Sequence, residues 1–208
     1  MVPLSEIITN VRTQYAAEST VRWKDPDIRD AINEGLDELS EATRFYERHV
    51  SVPVASLRTY YDLRGWLPES ALGVTAVWSS VINEWLEPGS SIARFQWERS
   101  VGPSQSFFMR GIYWMGVWPK PSTSTGFLRV YFTGLAPHFD FPQAVLRELP
   151  DDFIPALEEY ALYELAAQDG ETTRALQHFK DYGVRERSLR DFVERRTVTA
   201  RVLKMGSR

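Results

Sequence analysis

Apolar residues recur at helical spacing near the N-terminus and again in the last third of the chain. Near the N-terminus they predict one helix over residues 3–18 and a second helix from Asp25 to about residue 45. Asp25 is the predicted N-cap, with Pro26 at the first helical position. Gly35 lies on the apolar face of the second helix. It predicts the close approach of another helix, with the long C-terminal helix as the candidate.

The C-terminal third of the chain predicts a helical hairpin over residues 149–196. Its first arm has an apolar stripe with a period near 3.6 residues, and it begins where Asp151 or Asp152 would cap the helix. Gly170 predicts the turn between the arms. Gly183 interrupts the longer second arm at a cost of about 1 kcal/mol relative to alanine, which weakens the helix without ending it.

Between residues 49 and 139 the pattern changes from helical spacing to alternation. Val50, Val52 and Val54 predict the first strand. Because Pro53 cannot donate a backbone hydrogen bond, this strand is expected at the edge of a sheet. Turn signals then recur about every 8–12 residues. Further strands are predicted over residues 59–63, 73–78, 81–86 and in SFFMR, IYWMGVW and FLRVYF, while SIARFQWERS has helical spacing.

The predicted elements run in the order helices, strands, helices, which indicates an α+β fold. We expect a helical bundle with a long C-terminal helical hairpin and an inserted β-rich module. The predicted parts are a helical core over residues 1–48 and 140–196, the β-rich module over residues 49–139, and a C-terminal docking tail over residues 197–208.

Six of the seven tryptophans fall in the β-rich stretch. Residues 112–118 alternate so that both faces of their strand are apolar, and both faces are expected to be covered. One face carries Ile112, Trp114, Gly116 and Trp118. Large side chains that fill a small core explain this pattern best. The alternative is that tryptophans exposed on the second face bind sugars or a protein partner.

The charge of the chain is unevenly distributed. The net charge is −4, yet residues 185–208 hold eight Arg or Lys residues against three acidic ones. A basic end on an acidic body indicates docking onto an acidic partner, and a solvated helix end is the alternative. The chain has no cysteine, which excludes disulfides and thiol nucleophiles. It also shows no membrane-length apolar run and no signal-peptide pattern.

The sequence gives little support for catalysis, and we expect no enzyme activity, no cofactor and no metal site. The histidines His49, His138 and His178 are scattered, without a metal-ligand spacing. Phosphate-binding glycine motifs and the nucleophile-elbow motif are absent from the sequence. Two acidic pairs are better explained as charges at a helix start than as acid–base pairs, Asp151 with Asp152 and Glu158 with Glu159.

Several stretches together resemble the head–tail adaptor, or connector, proteins of tailed bacteriophages. The resemblance rests on the order and spacing of segments that cover about four-fifths of the chain. These segments are WKDPDIRDAINEGLDEL, LPESALGVTAVW, RGIYWMGVWPKP, LRVYFTG and LPDDFIPALEEYALYELAAQDGETTRALQHFKDYG. The adaptor family has no catalytic motif, so the resemblance transfers no catalytic residue.

The resemblance implies a structural virion protein at the capsid vertex, assembled in the host cytoplasm. It implies a ring of about twelve copies between the portal protein and a tail or nozzle protein. The ring would extend the channel for double-stranded DNA without sequence-specific contact. Portal docking would fall on the basic tail: Arg195, Arg196, Val198, Arg201, Val202, Leu203, Lys204 and Arg208. The β-rich module would face the tail or a neighbouring copy, with Trp85, Trp97, Trp114 and Trp118 as interface candidates.

A second hypothesis is a tail-associated β module that binds carbohydrate or protein, with the helices as scaffold. It rests on the same tryptophans and requires them to be exposed. Quenching of the tryptophan fluorescence by sugars would support the second hypothesis, and indifference to sugars would not.

Overall fold

A computed structural model describes residues 1–15, 23–89 and 100–205 of the chain, with side chains as far as residue 196. The chain forms two compact units. The helical unit comprises Met1–Tyr46 and Leu135–Arg208, and the β unit comprises Glu47–Gly134. The β unit is therefore one continuous segment between the two parts of the helical unit.

The helical unit is built around one buried helix. Helices α1 and α2 precede the β unit, and a short 3-10 helix, α3 and α4 follow it. Helix α3 contacts each of the other three α-helices, and its residues Leu157, Ala161 and Leu162 are fully buried. The bounds are Leu4–Tyr15 for α1, Asp25–Thr43 for α2, Asp151–Phe153 for the 3-10 helix, Ile154–Gln168 for α3 and Thr172–Met205 for α4.

The N-cap of α2 differs from the prediction. Lys24, not Asp25, is the cap residue. The carboxylate of Asp27 accepts a hydrogen bond from the Lys24 backbone N–H at 2.9 Å, so a carboxylate one turn into the helix satisfies the exposed donor. The Asp25 carboxylate is instead held in an ion pair with Arg12 of α1. The helix ends at Thr43, because Arg44 takes a left-handed conformation with φ 54°.

The start of α3 also differs from the prediction. Asp151 and Asp152 form the 3-10 helix, and α3 begins at Ile154 without a side-chain cap. The Asp151 carboxylate accepts a hydrogen bond from the N-terminal ammonium of Met1 at 2.7 Å. It therefore binds a group that is distant in sequence and does not cap the helix. Gly170, with φ 77°, lies between α3 and α4, and α4 continues through Gly183.

The β unit contains two four-stranded sheets. One has the strand order β1-β8-β3-β4 and the other β2-β7-β6-β5. All pairings are antiparallel except the parallel pair β5–β6. Strand β1, which contains Pro53, is an edge strand. The bounds are Glu47–Pro53 for β1, Tyr60–Asp62 for β2, Ala71–Ser79 for β3, Glu84–Trp85 for β4, Glu87–Pro88 for β5, Ser106–Arg110 for β6, Trp114–Trp118 for β7 and Phe127–Gly134 for β8.

Both sheets contribute to one buried apolar cluster. Val77 and Val130 come from the first sheet, and Met115 and Val117 come from the second; all four are fully buried. Because side chains alternate along a strand, Gly116 and its neighbours Trp114 and Trp118 lie on the other face of β7. That face is not covered throughout, since the Trp114 side chain is exposed. The expectation of two fully covered faces is therefore wrong at this end of the strand.

Candidate interaction surfaces

The C-terminal end of α4 extends beyond the helix it packs against. The ring of Phe192 lies 5.5 Å from the ring of Phe153, at the start of α3. Val193 packs against the helical core, whereas Arg195 and Arg196 are exposed. A helix of 34 residues is about 51 Å long and one of 15 residues about 22 Å. The last turns of α4 therefore project past the start of α3.

This projecting end carries most of the residues expected to dock onto the portal. Arg195 and Arg196 lie on its surface, and Arg195 also interacts with another residue. Arg208 lies outside the described residues. Val198, Arg201, Val202, Leu203 and Lys204 lie in the helical backbone of α4 beyond the described side chains.

The four tryptophans expected at an interface do not share one environment. Trp114 is 44% exposed, whereas Trp85 and Trp118 are half-buried. The Trp85 ring packs 5.0 Å from the ring of Tyr131. Trp97 lies outside the described residues, as does most of the predicted helical stretch around it. Of the three described, only Trp114 is exposed.

A charged pair lies beside Trp114. The Arg64 guanidinium carbon is 5.7 Å from the centre of the Trp114 ring. The Arg64 Nη2 donates to Asp62 Oδ2 at 2.6 Å and its Nε donates to Oδ1 at 3.0 Å. These hydrogen bonds hold the pKa of the Asp62 carboxyl below its usual value. Trp66, in the following turn, is 44% exposed. Sequence reasoning missed this arrangement. The segment DLRGW places Asp62, Arg64 and Trp66 within five residues, but it gives no sign of the contact with Trp114.

A second surface lies where α2, α3 and α4 meet. The Tyr160 ring packs against those of Tyr163 and Tyr182, at 5.6 and 5.2 Å. The Tyr163 ring also lies 5.0 Å from the exposed ring of Phe179. Burial raises the pKa of Tyr160 to about 12, and nearby carboxylates add to this effect. Those carboxylates belong to Glu164, Glu34 and Glu38.

Several of the acidic residues and histidines join separate segments of the helical unit. The buried Glu158 carboxylate accepts a hydrogen bond from Asn10 at 2.8 Å, which joins α3 to α1. Glu159 interacts with His178 of α4 at 2.8 Å. His138 interacts with Asp37 at 2.9 Å. The Glu158 and Glu159 carboxylates thus contact neighbouring helices. Their interpretation as charges at a helix start did not predict these contacts.

Within residues 1–15, 23–89 and 100–205, no group of three or more acidic or histidine side chains is arranged to hold a metal ion. In the same part of the chain, no helix combines the length and apolar character needed to cross a membrane. The surfaces described above present aromatic rings beside charged side chains, and aromatic residues and arginine are enriched at contacts between proteins.

The chain thus has a helical unit and a β unit, and each of them exposes aromatic and charged side chains. The family model described as SU10 adaptor protein matches residues 2–204, and the chain therefore belongs to this phage head–tail adaptor family. No curated protein matches the chain. Family membership makes the protein a structural phage adaptor and implies a place at the head–tail junction, in contact with portal and tail components.

Proposed function

We propose that the protein assembles into a ring between the portal and the tail and extends the DNA channel of the virion. The match of the adaptor family over residues 2–204 is the observation that carries this proposal. A ring of about twelve copies would use a head-to-tail interface, which closes when the rotation between neighbours divides the circle.

The projecting end of α4 is the proposed portal-docking element. It extends past the start of α3 and exposes Arg195 and Arg196, and the sequence beyond it adds Arg201, Lys204 and Arg208. A basic, projecting helix would bind an acidic surface of the portal by charge complementarity. Residues 1–184 are acidic. The whole chain has a net charge of −4, and residues 185–208 contribute eight basic and three acidic side chains, a net charge of +5, which leaves −9 for the rest. An acidic channel wall would not hold the DNA phosphates, so DNA would pass freely.

The native mass of the protein, alone and mixed with the portal of the same virion, tests the ring. A complex with many copies of this chain per portal is the expected result. If the two proteins do not associate at modest salt concentration, the ring proposal is wrong. Tight DNA binding that weakens steeply as salt rises would contradict the non-adhesive channel, because that dependence reports phosphate contacts.

Deletion of residues 196–208 is expected to abolish portal binding while the far-ultraviolet circular dichroism of the protein stays close to that of the full chain. The described packing of α4 against the core ends at Val193, so the deletion removes no described core contact. Deletion of residues 206–208 alone is the matched control and is expected to retain most of the binding. Unchanged portal binding after the longer deletion would remove the C-terminal end of α4 from the docking site.

The exposed rings of Trp114 and Trp66 favour a second candidate function, a β unit that binds carbohydrate or protein. Sugars would stack on these rings and change their fluorescence. If this candidate is correct, soluble glycans quench the fluorescence of the protein, and Trp114→Ala reduces the quenching more than Trp85→Ala does. Fluorescence that is indifferent to a broad glycan set argues against carbohydrate as the ligand.

A further inference from the structure

Among the large apolar side chains that the helical unit exposes, two groups lie at separate places. The first, which we name the loop surface, consists of Phe141, Val145 and Arg147. The second, the acidic aromatic surface, consists of Leu176, Phe179 and Tyr163 with the carboxylates of Glu34, Glu38 and Glu164. Phe141 is 58% exposed and Leu176 is 63% exposed. Burial of such side chains against a partner is favourable, so both places are candidates for contact with another protein.

The loop surface is held in place from below. The backbone N–H groups of Leu4 and Ser5, at the start of α1, donate to the carbonyl oxygens of Ala144 at 3.0 Å and Pro142 at 2.9 Å. Leu146, between the exposed residues, is buried in the helical core. The loop therefore presents Phe141 and Val145 on a fixed backbone, which lowers the entropy cost of binding. Arg147 is exposed and forms no ion pair with any described residue.

The acidic aromatic surface has the complementary chemistry. Leu176 and Phe179 are three residues apart on α4, so their side chains lie on one face of that helix. The Phe179 ring is half-exposed and contacts the Tyr163 ring of α3. Glu34, Glu38 and Glu164 lie around the same aromatic cluster, and in the described part of the chain none of them forms an ion pair. The aromatic cluster that the Phe179 ring joins is thus bordered by negative charge.

The two surfaces lie on different flanks of α3. Helix α1, whose N-terminus holds the loop, contacts α3 through the hydrogen bond from Asn10 to Glu158. The acidic aromatic surface contacts α3 through Tyr163. Glu158 and Tyr163 are five residues apart, which corresponds to about 140° around a helix of 3.6 residues per turn. The residues of α3 that the two surfaces approach therefore point in different directions.

We propose that the loop surface of one copy binds the acidic aromatic surface of the next copy. Phe141 and Val145 pack against Leu176 and Phe179, and Arg147 faces the carboxylates. Two different, complementary patches on separate flanks of one subunit form a head-to-tail interface, which generates a ring when the rotation closes. This inference rests on the proposed ring function and identifies the subunit faces that build it.

A second copy fits better than an unrelated partner because both halves of the contact are present on the same chain. The seven residues 141–147 contain both the arginine that would face the carboxylates and the apolar side chains that would cover the aromatic rings. Arginine and aromatic side chains are enriched at the centres of protein interfaces.

Cysteine cross-linking tests the contact directly, because the natural chain contains no cysteine. Phe141→Cys and Leu176→Cys are made singly and together in the full chain, and a short bismaleimide is added with the portal present. The doubly substituted protein is expected to form a ladder of covalent oligomers. The two single variants mixed in equal amounts are expected to form covalent dimers and nothing larger. Each single variant alone is expected to remain monomeric on a denaturing gel.

The pair Phe141→Cys with Val184→Cys is the matched control. Val184 is 52% exposed on the same helix, but it lies eight residues from Leu176, which corresponds to about 12 Å along α4 and about 80° around it. This pair is expected to give no ladder. A ladder from the control but not from the Leu176 pair would overturn the proposed faces, as would dimers from a single variant alone, which would indicate a symmetric contact.

The experiment separates the interface from the function. If the unmodified protein forms a ring on the portal but the Phe141–Leu176 pair gives no ladder, the interface proposal is wrong and the ring stands. If the unmodified protein forms no ring with or without the portal, both proposals are wrong. As a second measure, Leu176→Glu is expected to reduce ring formation at least tenfold, and Val184→Glu is expected to leave it unchanged.

Discussion

Gly35→Val is expected to destabilise the helical unit by about 3 kcal/mol or more. A Cβ atom added at Gly35 would lie 2.8 Å from Cδ1 and 2.9 Å from Cβ of Tyr160. Such distances are well below van der Waals contact. The Cβ of Tyr160 is fixed to the backbone of α3, so the clash cannot be relieved by rotation of the ring alone. Either α2 and α3 must separate or the backbone must shift.

The surroundings of Tyr160 oppose both adjustments. Its ring packs edge-on against Tyr163 and Tyr182, and only 8% of the residue is exposed. Leu36 and Leu39, next to Gly35 on α2, are fully buried in the same core. Separation of the helices would therefore open space around several apolar side chains, which adds a cavity cost to the steric one.

Gly183→Ala is the matched control for this prediction. Gly183 is also within a helix, but a Cβ there meets no atom within 4 Å. Alanine has the higher helix propensity, so this change is expected to stabilise the protein by up to about 1 kcal/mol. Urea denaturation followed by circular dichroism at the helix band measures both variants. Ordinary surface substitutions change the free energy of unfolding by less than about 0.5 kcal/mol. A change of that size for Gly35→Val would contradict the close contact.

The prediction made from Gly35 was correct in one part and wrong in another. Its position on the apolar face of α2 correctly indicated the close approach of another helix. The partner was predicted as the long C-terminal helix, but the contact is with Tyr160 of α3. Both arms of the hairpin carry apolar residues at helical spacing, and periodicity does not specify which arm lies beside the glycine. Only the packing of the two arms decides this.

Helix ends were predicted less well than helix interiors, for a physical reason. Several nearby residues can satisfy the same free N–H groups, and at α2 the carboxylate of Asp27 does so in place of Asp25. At α3, the Asp151 carboxylate pairs with the Met1 ammonium, which is 150 residues away in the sequence. A partner at that separation leaves no local signal. The interiors depend on many apolar residues together, so single competing contacts do not displace them.

The candidate surfaces depend on exposure, which composition alone does not give. The sequence indicated that tryptophans would matter in the β unit, but it did not separate the exposed Trp114 from the half-buried Trp85 and Trp118. The loop surface lies within residues 140–148, for which the sequence predicted no helix or strand. Its exposed Phe141 is next to segments whose side chains are buried. Because this stretch has no periodic pattern, the sequence does not indicate which of its apolar side chains are exposed.

Gly116→Val is expected to destabilise the β unit by about 2–3 kcal/mol, although valine normally favours strands. A Cβ at Gly116 would lie 2.1 Å from Cζ of Phe108, which is directly opposite on β6. Phe108 is only 6% exposed, and its ring also packs edge-on against Tyr60 at 6.0 Å. Phe108 thus occupies the space above the glycine, and valine would have to displace a buried ring.

A double-mutant cycle tests whether the glycine and the ring form one packing unit. Phe108→Ala alone is expected to cost about 3–5 kcal/mol, because it removes a buried aromatic side chain. The valine of Gly116→Val would partly fill that space, so the double variant is expected to be more stable than the sum of the two losses by about 1–3 kcal/mol. Tryptophan fluorescence in urea reports this unfolding, since six of the seven tryptophans lie in residues 47–134. Gly73→Val is the control, because a Cβ at Gly73 meets no atom within 4 Å. Additive losses for Gly116 and Phe108 would show that the cost of the valine does not arise from a clash with the Phe108 ring.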